Sequence, residues 1–163
     1  MRYLGIDPGT TLVGYGVLDK QKNGLSLVSY GCLDLPKTKK QNERLFFIKN
    51  KLQELLEEYK PNFVSMEKIF FQKNAKTVIE VAQAQGVMLT ECKGLGLSVH
   101  MFTPLEVKIA VTGYGRAEKK QVQQMVKAIL KMPEIPKPDD AADALAMAIC
   151  LAQTNINLKN KDE

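Results

Sequence analysis

Five carboxylates stand in sequence contexts where a charge is costly, and they are the residues best suited to chemistry. Asp7 ends the short apolar run "YLGID", and Glu67 ends a second apolar run, "FVSME". Asp139, Asp140 and Asp143 open the apolar segment "DDAADALAMAI". A charge on a core strand or helix is uncommon without a partner. These five residues are therefore the first candidates for a functional site.

Some of these carboxylates have ordinary structural explanations. An aspartate in the first turn of a helix complements the helix dipole by roughly 0.3–1 kcal/mol, which would account for Asp139 and for Asp140. This explanation does not extend to Asp143, which lies among alanines. An ion pair would explain the two strand carboxylates, but neither apolar run contains a basic residue. Arg2 is five positions before Asp7 and therefore lies on the opposite face of the pleat.

Helical spacing places the aspartates of the last segment close together without choosing among them. Asp140 and Asp143 are three residues apart, and Asp139 and Asp143 are four apart, so either pair shares one face of a helix. The spacing alone leaves open whether Asp139 or Asp140 works with Asp143.

Carboxylates that converge repel one another, so their pKa values rise or they bind cations. Oxygen ligands are the set that suits magnesium and manganese. Two such ions about 3.5–4 Å apart can clamp a phosphodiester, one activating water and one stabilising the leaving oxygen. The acidic pattern therefore predicts metal-dependent phosphodiester chemistry, provided that the fold brings the carboxylates together.

The elements that position these residues follow from hydrophobic periodicity and turn signals. The runs "YLGID", "LVGYGVLD" and "LSLVSYGCLDL", joined by a type II turn at "DPGT" and a hairpin at "KNG", predict a three-strand antiparallel meander. A helix over about 41–60 and four later helices then alternate with the strands "PNFVSME" and "GLSVHMF". We therefore predict an α/β fold with a mixed five-stranded sheet, the first strand beside the fourth, and helices on both faces.

Local signals in these elements bear on the site. If the first and fourth strands are parallel neighbours, Asp7 and Glu67 end at the sheet edge where open α/β sheets bind ligands. Asp139 follows a proline and is expected to be the N-cap of the last helix. Gly14 and Gly16 share one face of the second strand, which indicates close packing, with approach of a DNA backbone as the alternative.

Composition excludes several classes of protein and leaves others open. The 163 residues are 45% hydrophobic and 25% charged, and we expect one domain over 1–155 with a polar tail over 156–163. The net charge of +5 permits nucleic-acid binding but does not show it. No run approaches a membrane span or a secretory signal. Three widely spaced cysteines predict free thiols in a reducing cytoplasm, and the single histidine, His100, argues against a zinc site.

Basic and aromatic residues cluster near the acidic positions in the sequence. Phe70 and Phe71 are adjacent in a predicted loop just after Glu67, and an exposed aromatic there could stack on an unpaired base. The segment "GYGRAEKKQ" places cations around a helix start, where they oppose the dipole and indicate that an anion binds. We expect a DNA-phosphate surface formed by the basic residues of this segment and two neighbours: Arg116, Lys119, Lys120, Lys73 and Lys108.

Four stretches of the chain together resemble one known family. They are "LGIDPGT…GYGV", "MEKIFFQKNAKTVIEVAQAQGV", "TGYGRAEKKQVQQMV" and "DAADALAMAI", and they span nearly the whole chain. The sequence is similar to the RuvC family of bacterial Holliday-junction resolvases, within the RNase-H-like nuclease superfamily. Each stretch alone is weak evidence, but four in this order at this length are specific.

The resemblance implies a cytoplasmic, RNase-H-like endonuclease that nicks four-way junction DNA symmetrically, leaving 5′-phosphate and 3′-hydroxyl ends, in recombination and repair. It implies two Mg²⁺ ions per site, with Mn²⁺ able to substitute, held by Asp7, Glu67, Asp140 and Asp143. It further implies basic residues near the scissile phosphate, Lys108 and Lys119 here, and an inserting aromatic, Phe70. A homodimer is implied, because two symmetric nicks match a two-fold protein. The resemblance also implies branch-migration proteins of the RuvA and RuvB type as partners.

Three other functions compete with this interpretation. The segment "GIDPGTT" also resembles the phosphate loop of actin-like and Hsp70-like ATPases, although those enzymes need two such domains. A junction-binding scaffold without catalysis is a second alternative, which the complete set of acidic residues argues against. The third is a short RNA-processing nuclease of the same superfamily, which "AEKKQVQQMV" and "DAADALA" disfavour.

Overall fold

A computed structural model describes residues 1–9, 11–35, 38–69 and 75–154 of the chain. Within these ranges, strands come first and helices cover them later in the chain. The strands are β1 (Arg2–Pro8), β2 (Leu12–Gln21), β3 (Gly24–Asp34), β4 (Phe63–Glu67) and β5 (Val99–Phe102). The helices are α1 (Gln41–Tyr59), α2 (Ala75–Gly94), α3 (Pro104–Thr112), α4 (Lys119–Ile129) and α5 (Asp139–Gln153).

The five strands form one mixed sheet in the order β3-β2-β1-β4-β5. The first three strands pair antiparallel, whereas β1 with β4 and β4 with β5 pair parallel. This is the predicted meander with two added parallel strands, and β1 lies beside β4 as expected. The fold class predicted from the sequence is confirmed.

Side chains along the central strands point alternately to the two faces of the sheet, so the core forms two layers. Leu4 and Ile6 of β1 pack with α1 and α2 on one face of the sheet. Tyr3 packs against the end of α5 on the other face, and Asp7 belongs to that second face because it has the same parity in the strand. The larger layer on this face joins α5 with α3 and α4. Helices therefore cover both faces of the sheet, as predicted.

Helix boundaries agree closely with the periodicity, and the main difference is at β5. The predicted strand "GLSVHMF" begins only at Val99, because α2 continues to Gly94. A turn follows in which Gly96 takes a left-handed conformation with φ 72°. Leu97 donates a backbone hydrogen bond to the Cys92 carbonyl at 2.9 Å, so the first residues of the predicted strand belong to the turn that follows the helix.

Two further expectations concern the chain as a whole. Cys32, Cys92 and Cys150 are free thiols, as predicted. In the part of the chain that the structure describes, every helix is too short or too polar to cross a membrane.

Candidate active site

The parallel pairing of β1 and β4 brings two of the predicted carboxylates together. Ile6 is paired with Met66, so Asp7 and Glu67 are the next residues along two adjacent parallel strands. Both side chains lie on the sheet face that α5 covers, and both are partly buried. The carboxyl ends of these strands form the predicted edge, and the charge that ends each strand faces the same cleft.

Helix α5 reaches this edge because glycines leave room for its backbone. A Cβ added to Gly14 would collide with the carbonyl oxygen of Asp140, and one added to Gly5 would collide with the carbonyl oxygen of Ala144. At Gly16, the added atom would lie 2.7 Å from the nearest Leu145 side-chain carbon. The packing interpretation of Gly14 and Gly16 is therefore supported. Gly5 serves the same purpose, but its role depends on how α5 packs over β1, which the sequence pattern did not reveal.

The approach of α5 places its aspartates beside the strand carboxylates. Asp143 lines the cleft together with Asp7 and Glu67. Asp140 does not line the cleft, but its charge raises the pKa of Asp7 and of Asp143, so it belongs to the same electrostatic group. Asp140 also lies near the thiol of Cys32, whose pKa rises to about 11 through burial and then through the charge of Asp140.

The carboxylates share an environment that disfavours their ionised forms. The pKa of Asp7 is raised to about 7, mainly by burial and then by the nearby charges of Asp143, Glu67 and Asp140. Burial is also the largest cause of the raised pKa of Glu67 and of Asp143. Such a group of desolvated, mutually repelling carboxylates in a cleft is characteristic of a functional site.

Lys119 supplies the positive charge of the cleft. Its ammonium donates a hydrogen bond to Asp143 Oδ2 at 2.9 Å and lies 3.3 Å from Asp139 Oδ2. Burial lowers the pKa of Lys119, but the ion pairs with these two carboxylates outweigh it and the pKa is raised overall. The same charge lowers the pKa of Asp7 and of Glu67, although both remain raised. Lys119 therefore neutralises only part of the acidic charge.

The cleft is large enough for a small group and is partly apolar. Its volume is about 280 Å³. Lys108 of α3 and Lys119 of α4 line it together with the carboxylates, and apolar side chains of α3, α4 and α5 form the rest of its wall. Acidic and basic groups therefore line the same cleft, a combination that suits a phosphate held by metal ions and ammonium groups.

The donor chemistry of the cleft fits a hard divalent cation. All of the candidate ligands are carboxylate oxygens, and the raised pKa values of Asp7, Glu67 and Asp143 show that a compensating positive charge would stabilise these three groups. Within the described residues, however, no three His, Cys, Asp or Glu side chains are placed so as to enclose an ion. Mg²⁺ usually keeps several waters and needs only one or two carboxylates, so an open group of acidic residues fits this ion without such a cage.

Asp139 differs from the prediction. The N-cap of α5 is Pro138, and Asp139 is the first helical residue. Its carboxylate accepts a hydrogen bond from the Gln123 side-chain amide at 3.0 Å and pairs with Lys119, so it contacts α4 rather than capping its own helix. The N-cap prediction is therefore wrong, because partners on a neighbouring helix take the side chain. The role of Gln123 gave no signal in the sequence.

The remaining predicted DNA contacts are only partly described. Arg116 and Lys120 are exposed on the segment that joins α3 to α4 and on the first turn of α4, near Lys119. Phe70, Phe71 and Lys73 lie outside the described residues. His100 lies half-buried on β5 beside the ring of Phe63, with centroids 6.4 Å apart, and burial lowers its pKa. This placement agrees with the interpretation of His100 as a core residue.

Comparison with known proteins identifies the family. The family model described as "Crossover junction endodeoxyribonuclease RuvC" matches residues 3–151. The chain belongs to the RuvC family. A RuvC relative from Fusobacterium nucleatum, named as a crossover junction endodeoxyribonuclease, is 52% identical over 155 residues, which cover 95% of this chain and 80% of the relative.

Solved RuvC structures share the fold as well as the sequence. The structure of Thermus thermophilus RuvC matches with a TM-score of 0.85 at 32% identity, over 92% of each chain. The structure of Thermus thermophilus RuvC in complex with a Holliday junction substrate matches with a TM-score of 0.86 at 33% identity, again over 92% of each chain. The RNase-H-like sheet predicted from the sequence is thus the sheet of the RuvC family.

Proposed function

We propose that this RuvC-family endonuclease resolves four-way DNA junctions by paired symmetric nicks in a metal-dependent reaction. The products would be 5′-phosphate and 3′-hydroxyl ends, and the reaction would serve recombination and DNA repair. The observation that carries the proposal is the convergence of Asp7, Glu67 and Asp143, from three different elements, on one cleft with Lys119. A Thermus thermophilus relative of the same fold is known in complex with a Holliday junction substrate.

The proposed metal ligands are Asp7, Glu67, Asp140 and Asp143, and the proposed ions are two Mg²⁺ per site, with Mn²⁺ able to substitute. Bound ions of this kind supply Lewis-acid chemistry, making water nucleophilic and neutralising charge on a leaving oxygen. Three of the carboxylates have raised pKa values mainly because of burial, so a divalent cation would favour their ionised forms. The proposed ligand set has a net charge that suits two divalent ions.

The ammonium groups of the cleft bind and orient the phosphodiester in this proposal. Lys108 and Lys119 line the same cleft as Asp7 and Glu67. A scissile phosphate bound in the cleft would receive charge-assisted hydrogen bonds from these lysines. We assign Lys119 a catalytic role because its ammonium lines the cleft and contacts one of the proposed ligands, Asp143.

The DNA surface extends from the cleft along the exposed residues between α3 and α4. Arg116 and Lys120 are exposed there and would bind backbone phosphates. Phe70 is the proposed wedge at the junction centre, where an aromatic ring can stack on an unpaired base. Phe71 and Lys73, in the same segment, complete the proposed contacts.

We further propose that the chain acts as a homodimer, since one site per protomer would give the two nicks that a junction needs. Phe46 of α1 and Ile79 of α2 are large apolar side chains that are 63% and 58% exposed on the outer helical layer. They are candidates for the dimer contact because large exposed apolar residues often mark an interface. The nuclease domain would span 1–155, and branch-migration proteins of the RuvA and RuvB type are the proposed partners.

A labelled four-way junction tests the function. The protein with Mg²⁺ should nick the junction at symmetric positions, and it should leave a linear duplex and an RNA duplex of the same sequence uncut. Without divalent cations it should bind the junction and not cut it. Asp7→Asn should bind without cleaving. Cutting of RNA but not of junctions would support the RNA-processing alternative, and binding without cleavage under all conditions would support the scaffold.

A further inference from the structure

The first turns of α4 and α5 contact each other through two pairs of polar residues. Lys119 and Gln123 are one turn apart on α4, and Asp139 and Asp143 are one turn apart on α5. Residues four apart project from the same side of a helix, so each helix presents two polar side chains to the other. The contacts form a chain: Gln123 to Asp139 at 3.0 Å, Asp139 to Lys119 at 3.3 Å, and Lys119 to Asp143 at 2.9 Å.

The two carboxylates that bind Lys119 differ in their surroundings. Asp143 lines the cleft with the strand carboxylates, and its side chain is 35% exposed. Asp139 does not line the cleft, and its side chain is 64% exposed. Asp139 nevertheless has a fixed position, because the amide that binds it belongs to Gln123, which is only 8% exposed. One carboxylate therefore faces the reaction space, and the other is anchored outside it.

The position of Lys119 also requires an explanation. A lysine that begins a helix opposes the dipole, at a cost of roughly 0.3–1 kcal/mol. Contact with Asp143 alone would not hold the ammonium in place during the proposed reaction, since Asp143 is there a ligand of the cation. The second contact, with Asp139, does not compete with that ligation. A carboxylate outside the ligand set can keep the ammonium beside the cleft while Asp143 is engaged.

We propose that Asp139 is a positioning residue that, held by Gln123, keeps Lys119 directed into the cleft and does not itself bind the metal. This assignment rests on the proposed function and resolves the choice that helical spacing left open between Asp139 and Asp140. Asp139 faces α4, whereas Asp140 faces the strands, where its charge acts on Asp7. Adjacent aspartates on one helix therefore serve the two sides of the cleft separately.

Metal affinity and cleavage rate together test this proposal. Mn²⁺ binding to the DNA-free protein is measured by calorimetry, and single-turnover cleavage of pre-bound junction is measured at saturating Mg²⁺. Asp139→Asn should keep the wild-type Mn²⁺ affinity and cleave about tenfold more slowly, the loss expected for one charge-assisted hydrogen bond. Asp140→Asn is the matched control on the adjacent residue, and it should lose Mn²⁺ affinity.

A double-mutant cycle shows whether Asp139 acts through Lys119. In a Lys119→Met background, adding Asp139→Asn should cause little further loss of rate, because the ammonium that it positions is gone. Gln123→Ala keeps the charges of Asp139 and Lys119. It should also slow cleavage, but by a smaller factor than Asp139→Asn. Because Gln123→Ala leaves Asp139 at the start of α5, it still tests the proposal if Asp139→Asn folds poorly.

Three results would overturn the proposal. Loss of Mn²⁺ affinity in Asp139→Asn equal to that in Asp140→Asn would make Asp139 a metal ligand. If Asp139→Asn slowed cleavage by the same factor in the Lys119→Met background as in the wild type, Asp139 would not act through Lys119. Unchanged cleavage by both Asp139→Asn and Gln123→Ala would leave Asp139 without a role in the reaction. The wild-type protein in the same assay tests the proposed function separately, since its failure to cleave junctions would reject that function instead.

Discussion

The two sides of the cleft are built in different ways. The acidic side comes from β1, β4 and α5, where backbone packing decides position: the carbonyl oxygen of Asp140 lies where a side chain at Gly14 would have to be. The basic side comes mainly from α4, a surface helix whose Lys119 is 52% exposed and held by ion pairs. The acidic groups are therefore fixed by the fold, and the basic group is fixed by its partners.

This difference has a thermodynamic counterpart. The acidic side destabilises the metal-free protein, because burial and mutual repulsion disfavour the ionised carboxylates. Surface ion pairs such as those of Lys119 contribute little to stability, with values of about 0–1 kcal/mol being usual. We expect substitutions on the acidic side to change both catalysis and stability, and substitutions on the basic side to change catalysis and DNA binding alone.

The largest effect on cleavage should follow from removing the charge of one acidic side chain while keeping the shape of that side chain. Glu67→Gln should reduce single-turnover cleavage on the order of a thousandfold, because a preorganised charge at the reacting group is lost. Junction affinity measured without divalent cations should hardly change. Glu54→Gln, at an exposed residue of α1 on the sheet face away from α5, is the control and should cleave like the wild type. A rate for Glu67→Gln within a few-fold of the wild type would remove Glu67 from the site.

The next effect concerns the packing that positions the acidic side. Gly14→Ala should lower the free energy of unfolding by about 2–3 kcal/mol, since the added methyl collides with the backbone of α5 and cannot be relieved by a side-chain rotation. Urea unfolding measures the change. Gly94→Ala faces open space and should be neutral or stabilising by up to about 1 kcal/mol. Equal stability of the two variants would show that α5 does not depend on the glycine face.

The pH dependence of stability should report the burial of Asp7. Its pKa is raised from 3.8 to about 7, so its contribution to stability is full below about pH 4 and is lost as the pH rises through 7. Asp7→Asn stays neutral, and without metal it should be more stable than the wild type at pH 8 by on the order of 2 kcal/mol, with no difference near pH 4.

Asp19→Asn is the control for this titration, because its effect on stability should have the opposite sign. Hydrogen bonds from Arg2 lower the pKa of Asp19, and the ion-pair distance is 2.9 Å. Its substitution should therefore destabilise the protein at neutral pH, with the effect vanishing in acid. The account of Asp7 would be wrong if Asp7→Asn destabilised the metal-free protein at pH 8 in the same way as Asp19→Asn.

The smallest effect is expected on the basic side. Arg116→Ala should weaken junction binding a few-fold for any sequence, and the slope of log affinity against log salt should fall by about 1, the value for one lost phosphate contact. Lys22→Ala, at the exposed hairpin between β2 and β3, removes an equal charge at the end of the sheet away from Asp7 and should leave the slope unchanged. Identical slopes for the two variants would place Arg116 outside the DNA surface.

Sequence patterns were sufficient to predict the elements and to select strand carboxylates that converge on one cleft. Period-two and period-3.6 patterns predicted the five strands and five helices, and the parallel pairing of β1 with β4 followed from the order of the elements. Asp7 and Glu67 could be selected because a charge at the end of a buried strand conflicts with its neighbours. This conflict between local sequence and burial is the signal on which the proposed site rests.

The contacts between α4 and α5 could not be read from the sequence. The spacing within each helix is visible, but how two helices dock depends on the whole layer between them and the sheet. The partners of Asp139 on α4 therefore became clear only in the structure, as did the role of Gly5, which depends on where β1 lies beneath α5. The predictions for Phe70, Phe71 and Lys73 remain predictions.

Crystals of the protein soaked in Mn²⁺ test the central claim most directly, because anomalous scattering locates the ions without reference to activity. The account predicts two anomalous peaks in the cleft, about 3.5–4 Å apart, with Asp7, Glu67, Asp140 and Asp143 as the protein ligands and Asp139 bound to Lys119. Peaks away from these carboxylates, or an empty cleft at saturating Mn²⁺, would contradict it.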